Sequence, residues 1–253
     1  MAATAQGATA PSAPPTRRGV LDEAQVRAMF DRIAGLYDRM NTVMTAGLHH
    51  RWRARAVDLA APPPNAKALD VATGTGDLAL ELARRLGPDG EVIATDFSVR
   101  MLALARSKAA AIDMAPRIRF ESANALELPY PDDEFDVATV GFGARNFSSL
   151  ERGLSEMARV VKPGGRVVVL EITTPSRPPL SHFFRLWFDH AVPALGRLAG
   201  DRDAYSYLPN SVRRFPGPSE LAGLMWSCGL RQIRYVLTAG GIIALHVGVV
   251  SGR

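Results

Sequence analysis

The stretch "ALDVATGTGDLALEL", Ala68 to Leu82, holds the residues best suited to chemistry in this chain. A carboxylate, Asp70, ends an apolar run. Two glycines follow, Gly74 and Gly76, with Thr75 between them. Glycine allows a sharp bend and lets a ligand approach the backbone without a Cβ in the way. Amides at the start of a following helix face that ligand and favour a carboxylate or phosphate on it. A second acid, Asp96, stands twenty residues beyond Gly76. A carboxylate ending the next strand at that distance accepts hydrogen bonds from the two hydroxyls of a ribose. The pattern describes a cleft for a ligand that carries a nucleoside.

Holding these groups in place requires a strand before the loop and a helix after it. The chain supplies both and repeats them. "KALDVAT", "GEVIATD", "RIRFESA", "EFDVATVGFG" and "GGRVVVLEI" read as buried strands. Gly76 to Leu86, Ser98 to Ala110 and Ser148 to Val161 read as helices. Such alternation predicts right-handed crossovers and an α/β fold with a largely parallel sheet covered on both faces. "RQIRYVLTAGGIIALHVGVV" reads as a terminal antiparallel hairpin turning at Gly240-Gly241, which adds an antiparallel strand to the sheet. Two segments stand outside the alternation. Leu21 to Asp58 is helical, and 20–60 is expected to form a lid. An aromatic-rich insertion, 175–217, follows the fifth strand. The remaining 20–253 forms one domain behind a disordered tail, 1–19, of Ala, Pro and Thr without an acid.

Composition narrows the function classes. The net charge is +5 and the pI about 9.8. The positive charge is scattered arginine, with lysine only at 67, 108 and 162. No basic run marks a nucleic-acid tail, so nucleic acid is not expected as a partner. A single cysteine, Cys228, builds neither a disulfide framework nor a thiolate metal site within the chain. No metal is expected. No stretch approaches the roughly 20 apolar residues of a membrane span. A cytoplasmic setting fits.

Two nucleotide ligands suit the loop. Gly74-x-Gly76-x-x-Ala79 approximates a dinucleotide fingerprint. The order D-x-x-x-G-x-G, from Asp70, resembles motif I of class I methyltransferases that use S-adenosylmethionine. That cofactor has no pyrophosphate for an acid to repel, and Asp70 can hold its ammonium group. The acidic-proline loop in "ESANALELPYPDDEFDVATVGFGARN" and the turn "VVKPGG" resemble the same fold.

Several separated blocks carry a closer resemblance. "YDRMNTVMTAGLHHRW" (Tyr37 to Trp52), "GFGARN" (Gly141 to Asn146), "RVVKPGGRVVVLEIT" (Arg159 to Thr173), "DRDAYSYL" (from Asp201) and "LTAGGIIALH" (from Leu237) are similar to the ubiquinone/menaquinone C-methyltransferases. The resemblance runs from about Val26 to the C-terminus. It implies a Rossmann-like class I fold with a seven-stranded sheet, N-terminal helices and a helical insertion after strand five. It implies S-adenosylmethionine as cofactor and methylation of a ring carbon of a polyprenylated quinol. The quinol is demethylmenaquinol or, alternatively, a methoxybenzoquinol of ubiquinone synthesis. Cofactor residues are then Asp70, Gly74, Thr75, Gly76, Asp96, Asn124, Ala125 and Gly141. The family often has serine where Gly141, Thr45 and Thr173 stand. Only Gly141 lacks a hydroxyl.

A quinol carbon attacks a sulfonium methyl once a neighbouring hydroxyl loses its proton. Lowering a phenolic pKa from about 10 by three units takes about 4 kcal/mol. Arg145 is the candidate for holding the oxyanion, and Asn146 for orienting it. The base is His49, His246 or water. Tyr37, Asp38, Trp187, Tyr205 and His246 are expected to line the substrate pocket. The stripe Leu180, Phe183, Phe184, Trp187, Phe188, Val192, Leu195 and Leu198 reads either as a helix packed on the sheet or as a prenyl channel. In the second case it would touch the inner membrane face transiently. Assembly into a homo-oligomer stays open. So do a methyltransferase acting on another small phenol or on RNA, an NAD-binding oxidoreductase and a non-catalytic binder of the cofactor.

Overall fold

A computed structural model describes residues 23–175, 178–188 and 202–252, with the side chains of 202–206 excepted. The expected tail, 1–19, and the middle of the insertion lie outside the described residues, as do Val192, Leu195 and Leu198.

The strands are β1 (Lys67–Val71), β2 (Glu91–Asp96), β3 (Ile118–Ser122), β4 (Phe135–Gly141), β5 (Val161–Ile172), β6 (Leu230–Thr238) and β7 (Ile243–Val250). They form one sheet in the order β3-β2-β1-β4-β5-β7-β6. Pairs from β3 to β5 are parallel, and β7 runs antiparallel to both its neighbours. Both strands of the hairpin therefore join the sheet, with the later one inside. The reason is burial. All but one residue of "IALHVGVV" is buried, so β7 needs a partner on each side. β6 buries only Leu230 and takes the edge. The turn between them is a short 3-10 element, Ala239–Gly241.

Eight α-helices are found among the described residues: α1 (Glu23–Thr45), α2 (Leu48–Ala60), α3 (Asp77–Arg85), α4 (Val99–Ala110), α5 (Leu150–Val160), α6 (Leu180–Leu186), α7 (Arg202–Arg214) and α8 (Pro218–Ser227). The helical run expected across Leu21 to Asp58 is broken between α1 and α2. Ala46 and Gly47 both adopt positive φ there, and the Gly47 amide bonds back to the Thr42 carbonyl at 3.0 Å. That closure ends α1 and redirects the chain. Ser98 starts α4 by accepting from the Met101 amide at 3.1 Å. Its hydroxyl also donates to Asp31 of α1 at 2.5 Å.

Helices α2 and α3 cover one face of the sheet, where Val57, Leu78 and Leu82 pack on Val92, Val168 and Leu245. Helices α5 and α8 cover the other, where Leu154, Met157 and Met225 pack on Leu69, Ile93 and Val169. Each such fully buried side chain contributes roughly 2 kcal/mol. Two smaller clusters join the remaining helices. Val26 and Met29 of α1 meet Tyr207 of α7, and Phe184 and Phe188 meet Val212. Strand order reverses between β1 and β4, which places a crevice at their carboxyl ends. There the chain turns through Gly74, φ 58°, and Gly76, φ 85°.

A Cβ on Gly76 would lie 3.0 Å from the Ala105 Cβ, besides the cost of its left-handed backbone. Gly76→Ala is expected to destabilise the fold by about 1–2 kcal/mol. Urea denaturation checks this, and an unchanged midpoint would contradict the packing described.

Candidate active site

The crevice is lined by the ends of three strands. Asp96 closes β2 and lies buried. Its Oδ2 accepts from the Gly74 amide at 2.8 Å and its Oδ1 from the Ser98 amide at 2.9 Å. Each oxygen keeps a lone pair for a further donor. Phe97, Met101, Asn124 and Ala125 complete the wall beside it. Asp70 on β1 has no exposed surface. Its oxygens accept from Thr139 at 2.7 Å and Thr73 at 2.6 Å. Burial pushes both carboxyls up to about 6, against the pull of these hydrogen bonds.

Thr75 also lines the crevice, but its hydroxyl donates to Asp38 Oδ1 at 2.5 Å and accepts from Lys108 at 3.2 Å. Gly141 lines it with bare backbone. A Cβ there would press Leu78 Cδ2 at 3.0 Å. Glu23, the first residue of α1, spans the mouth. It accepts from Asn124 Nδ2 at 3.5 Å and from the Ser148 hydroxyl.

A second cavity, about 450 Å³, lies under α1, α6 and α7. Met29, Met40, Met44, Phe184, Trp187, Phe188 and Ile242 make most of its wall apolar. The two spaces share Phe30, Tyr37, Arg53 and Phe142, so they meet at one window. Arg145 lines the apolar chamber. It is buried and paired with Glu171 at 2.7 Å. Asn146 lines the crevice and accepts from the Tyr207 hydroxyl at 3.1 Å.

Tyr37, Trp187, Arg145 and His49 are thus brought to the chamber, and Asp70, Gly74, Thr75, Asp96, Asn124, Ala125, Gly141 and Asn146 to the crevice. Gly76 supports the turn from behind. Three residues expected in the pocket or at the chemistry are placed otherwise. His246 sits on the sheet face away from the chamber. It is fully buried, with Nε2 2.9 Å from the Pro218 carbonyl. Residues an odd number of positions apart in a strand point to opposite faces, and Ile243, three positions before His246, lines the chamber. Asp38 turns away to Lys108, at 2.6 Å, and Thr75, which pins α1 to α4. His49 reaches the chamber, but Arg53 donates to its Nδ1. An arginine only donates, so the basic lone pair is spent and Nε2 carries the proton toward Thr42 Oγ1, 3.3 Å away. Burial first, and the Arg53 charge next, push the ring down to about 4. Tyr205 has its side chain outside the described residues.

Sequence reasoning missed Glu171, Tyr207 and Arg53. Glu171 stood in the quoted run "VVVLEIT", where an acid inside an apolar strand was the available signal. His49, His50 and Asp77 bring ligand-type atoms within 4.8 Å of one another. Arg53 and Lys108 already neutralise Asp77, at 3.3 and 2.7 Å, so the cluster is a charge network in which a further cation would be repelled.

A parallel sheet with its crevice at the β1/β4 reversal, a glycine turn and a ribose-type acid define a class I methyltransferase using S-adenosylmethionine. The residues fit that cofactor: Asp96 has free acceptor capacity for ribose hydroxyls, and buried Asp70 suits a cation. The model of the ubiE/COQ5 methyltransferase family matches residues 18–250, and the chain belongs to that family. It is 46% identical over 221 residues to the demethylmenaquinone methyltransferase of Thermus thermophilus, covering 87% of this chain and 99% of that one. It is 42% identical over 224 residues to the ubiquinone/menaquinone biosynthesis C-methyltransferase UbiE of Geobacter sulfurreducens, covering 88% of each. Among solved structures, the [4+2]-cyclase SpnF aligns with a TM-score of 0.67 and 19% identity over 90% of this chain and 97% of its own. A SAM-dependent methyltransferase from Aquifex aeolicus aligns at 0.58 and 17% identity over 78% and 89%. These two likenesses concern the fold.

Because Asp70 and Asp96 hold protons more tightly in the folded chain than in the unfolded one, the cofactor-free fold gains stability as pH falls from about 6 to 4. Ionised at pH 7, each costs it on the order of 2–3 kcal/mol. A cationic ligand relieves that cost only while they are ionised. Cofactor affinity is therefore expected to fall as pH drops through about 6. Titration calorimetry at pH 7.5 and 5.5 checks it. Asp96→Asn should flatten part of the dependence and weaken binding roughly tenfold or more.

Proposed function

We propose that the protein methylates a ring carbon of a polyprenylated quinol, converting demethylmenaquinol to menaquinol. The observation that carries this is the meeting of a polar nucleoside-type crevice with an apolar chamber at a window of four residues, Phe30, Tyr37, Arg53 and Phe142. A small polar phenol would not need a chamber with so much aliphatic and aromatic wall. The demethylmenaquinone methyltransferase relatives support the naphthoquinol ring over the benzoquinol.

When bound, S-adenosylmethionine supplies an electrophilic methyl on a sulfonium. Asp96 would hold its ribose, with Asn124 and Ala125 against the adenine and Asp70 toward the ammonium. On the other side of the window, Arg145 donates to the oxygen of the ring hydroxyl beside the reacting carbon. That concentrates charge on the ring as the hydroxyl proton leaves. Of the three bases expected from the sequence, His49 is spent on Arg53 and His246 is remote, so water takes the proton. That proton leaves to bulk solvent, and the ring proton released when aromaticity is restored returns through water to the oxygen, so one proton is lost overall. Phe30, Phe142 and Tyr37 exclude bulk water from the window, and fixed alignment of two reactants accounts for much of the rate. The lid role expected of 20–60 is supported by α1, whose Glu23 bridges Asn124 and Ser148 across the crevice.

The rim of the chamber exposes Val43, Leu48 and Phe183, and Leu186 is exposed beside it on α6. We assign this rim to a leaflet surface, with the prenyl tail passing from bilayer to chamber and the scattered arginines favouring anionic lipid. No described helix is long and apolar enough to cross a membrane.

Incubation with methyl-labelled S-adenosylmethionine and a panel of demethylated naphthoquinols and benzoquinols is expected to label the naphthoquinol. Label on neither ring would sink the reading. The full chain is also expected to sediment with anionic vesicles, and a Phe183→Asp, Leu186→Asp double variant to stay in the supernatant. Equal sedimentation of both would remove the rim from the account.

A further inference from the structure

We propose that Glu171 is a positioning residue: it fixes Arg145 at the chamber wall through Nη1, with Nη2 left as the donor for the ring oxygen. The proposal rests on the quinol-methylation reading above and assigns the side chain that makes Arg145 serviceable there.

Glu171 is the penultimate residue of β5, and its side chain is 1% exposed. One carboxylate grips Arg145 twice. Oε1 accepts from Nη1 at 2.7 Å and Oε2 from the Arg145 backbone amide at 3.2 Å. Oε1 is itself held by the Ile172 amide at 2.8 Å. The carbonyl of Phe142, a window residue, accepts from the same Nη1. The end of β5 thereby locks the 3-10 turn Ala144–Asn146 that follows β4. Arg145 lines the chamber wall; its Nε is sealed from any incoming group, whereas Nη2 is not sealed and makes no hydrogen bond among the described residues. A charged donor left open on an apolar wall gains from an arriving oxygen acceptor.

The pairing also sets the charge. A bare guanidinium facing an apolar chamber is penalised by desolvation, whereas a guanidinium neutralised from behind keeps its donor without a full net charge. The charged and titratable groups around Arg145 are Glu171 from β5, Tyr37 from α1 and Tyr207 from α7. His49 and Arg53 of α2 line the same chamber, and Arg214 lies over the Tyr207 ring. Glu171 is the carboxylate in direct contact, so its removal leaves Arg145 a stronger but unanchored cation.

The test uses Glu171→Gln and Glu171→Asp in the full chain. It reads cofactor affinity, kcat, and the pH at which 1-naphthol ionises when bound without methyl donor, followed by its absorbance. Glu171→Gln is expected to bind cofactor as the parent does, to ionise the bound naphthol at lower pH, and to lose kcat roughly 10- to 100-fold, the scale of an ångström's misplacement. Glu171→Asp, which keeps the charge and shortens the reach, should lose kcat with the naphthol ionising as in the parent. The proposal is overturned if Glu171→Gln leaves the ionisation pH unchanged, if Glu171→Asp retains full kcat, or if the parent fails to bind naphthol in the chamber. Should Glu171→Gln not fold, the Asp variant decides alone. A parent that ionises naphthol as described yet methylates no quinol would refute the quinol reading and leave this one standing.

Discussion

Two ionisable carboxyls buried at neighbouring strand ends are the constraint around which the molecule is arranged. Asp70 and Asp96 lie in adjacent parallel strands, with Asp70 in register with Ala94 and Asp96 beyond it. Water cannot solvate them, so the protein must. The Gly74 and Ser98 amides serve Asp96, and the Thr73 and Thr139 hydroxyls serve Asp70. The glycine turn follows from this need, because only a chain bent through left-handed φ brings the Gly74 amide to a carboxylate on the next strand. Thr139 has to come from β4, which fixes β1 and β4 as neighbours and the crevice between them. The compensation is partial, and both acids stay well above their ordinary range.

The chamber solves the opposite problem. Its wall is mostly apolar, yet it holds a buried cation, Arg145. Burying Arg145 alone would be prohibitive. Paired with Glu171 it is tolerated, and breaking such a buried pair from one side costs about 3–5 kcal/mol. The pair also fastens β4 to β5 at the site. Arg53 plays a similar part at the window, where Asp77 balances it and its guanidinium lies 5.5 Å from the Phe142 ring centroid. Polar and apolar halves are joined by residues that belong to both.

Features set by local sequence were legible before any coordinates. The alternation of strand and helix, the glycine turn and the acid at Asp96 depend on short-range spacing, and the structure follows them. The site's other half depends on parity and rotation, which emerge only when elements pack. His246 and Ile243 lie three positions apart in one strand, and the order of β5, β7 and β6 decides which of them meets the chamber. Tyr207 is overlooked because its place depends on how α7 turns against α1, where it meets Val26 and Met29. Asp38 reads as a pocket acid until Lys108, seventy positions away in the chain, claims it. Glu171 is passed over because an apolar strand reads as core, although a lone acid within it is the signal to follow.

The placement of β7 inside the sheet has a bearing on how the chain is made. From Ile172, which ends β5, to Ile243, which begins β7, there are 71 positions. At ribosomal speeds of about 5–20 residues per second, β5 waits roughly 4 to 14 seconds with one edge bare. An unpaired, apolar strand edge invites the wrong partner during that interval. The β5 edge is therefore most open to mispairing before the hairpin has been synthesised.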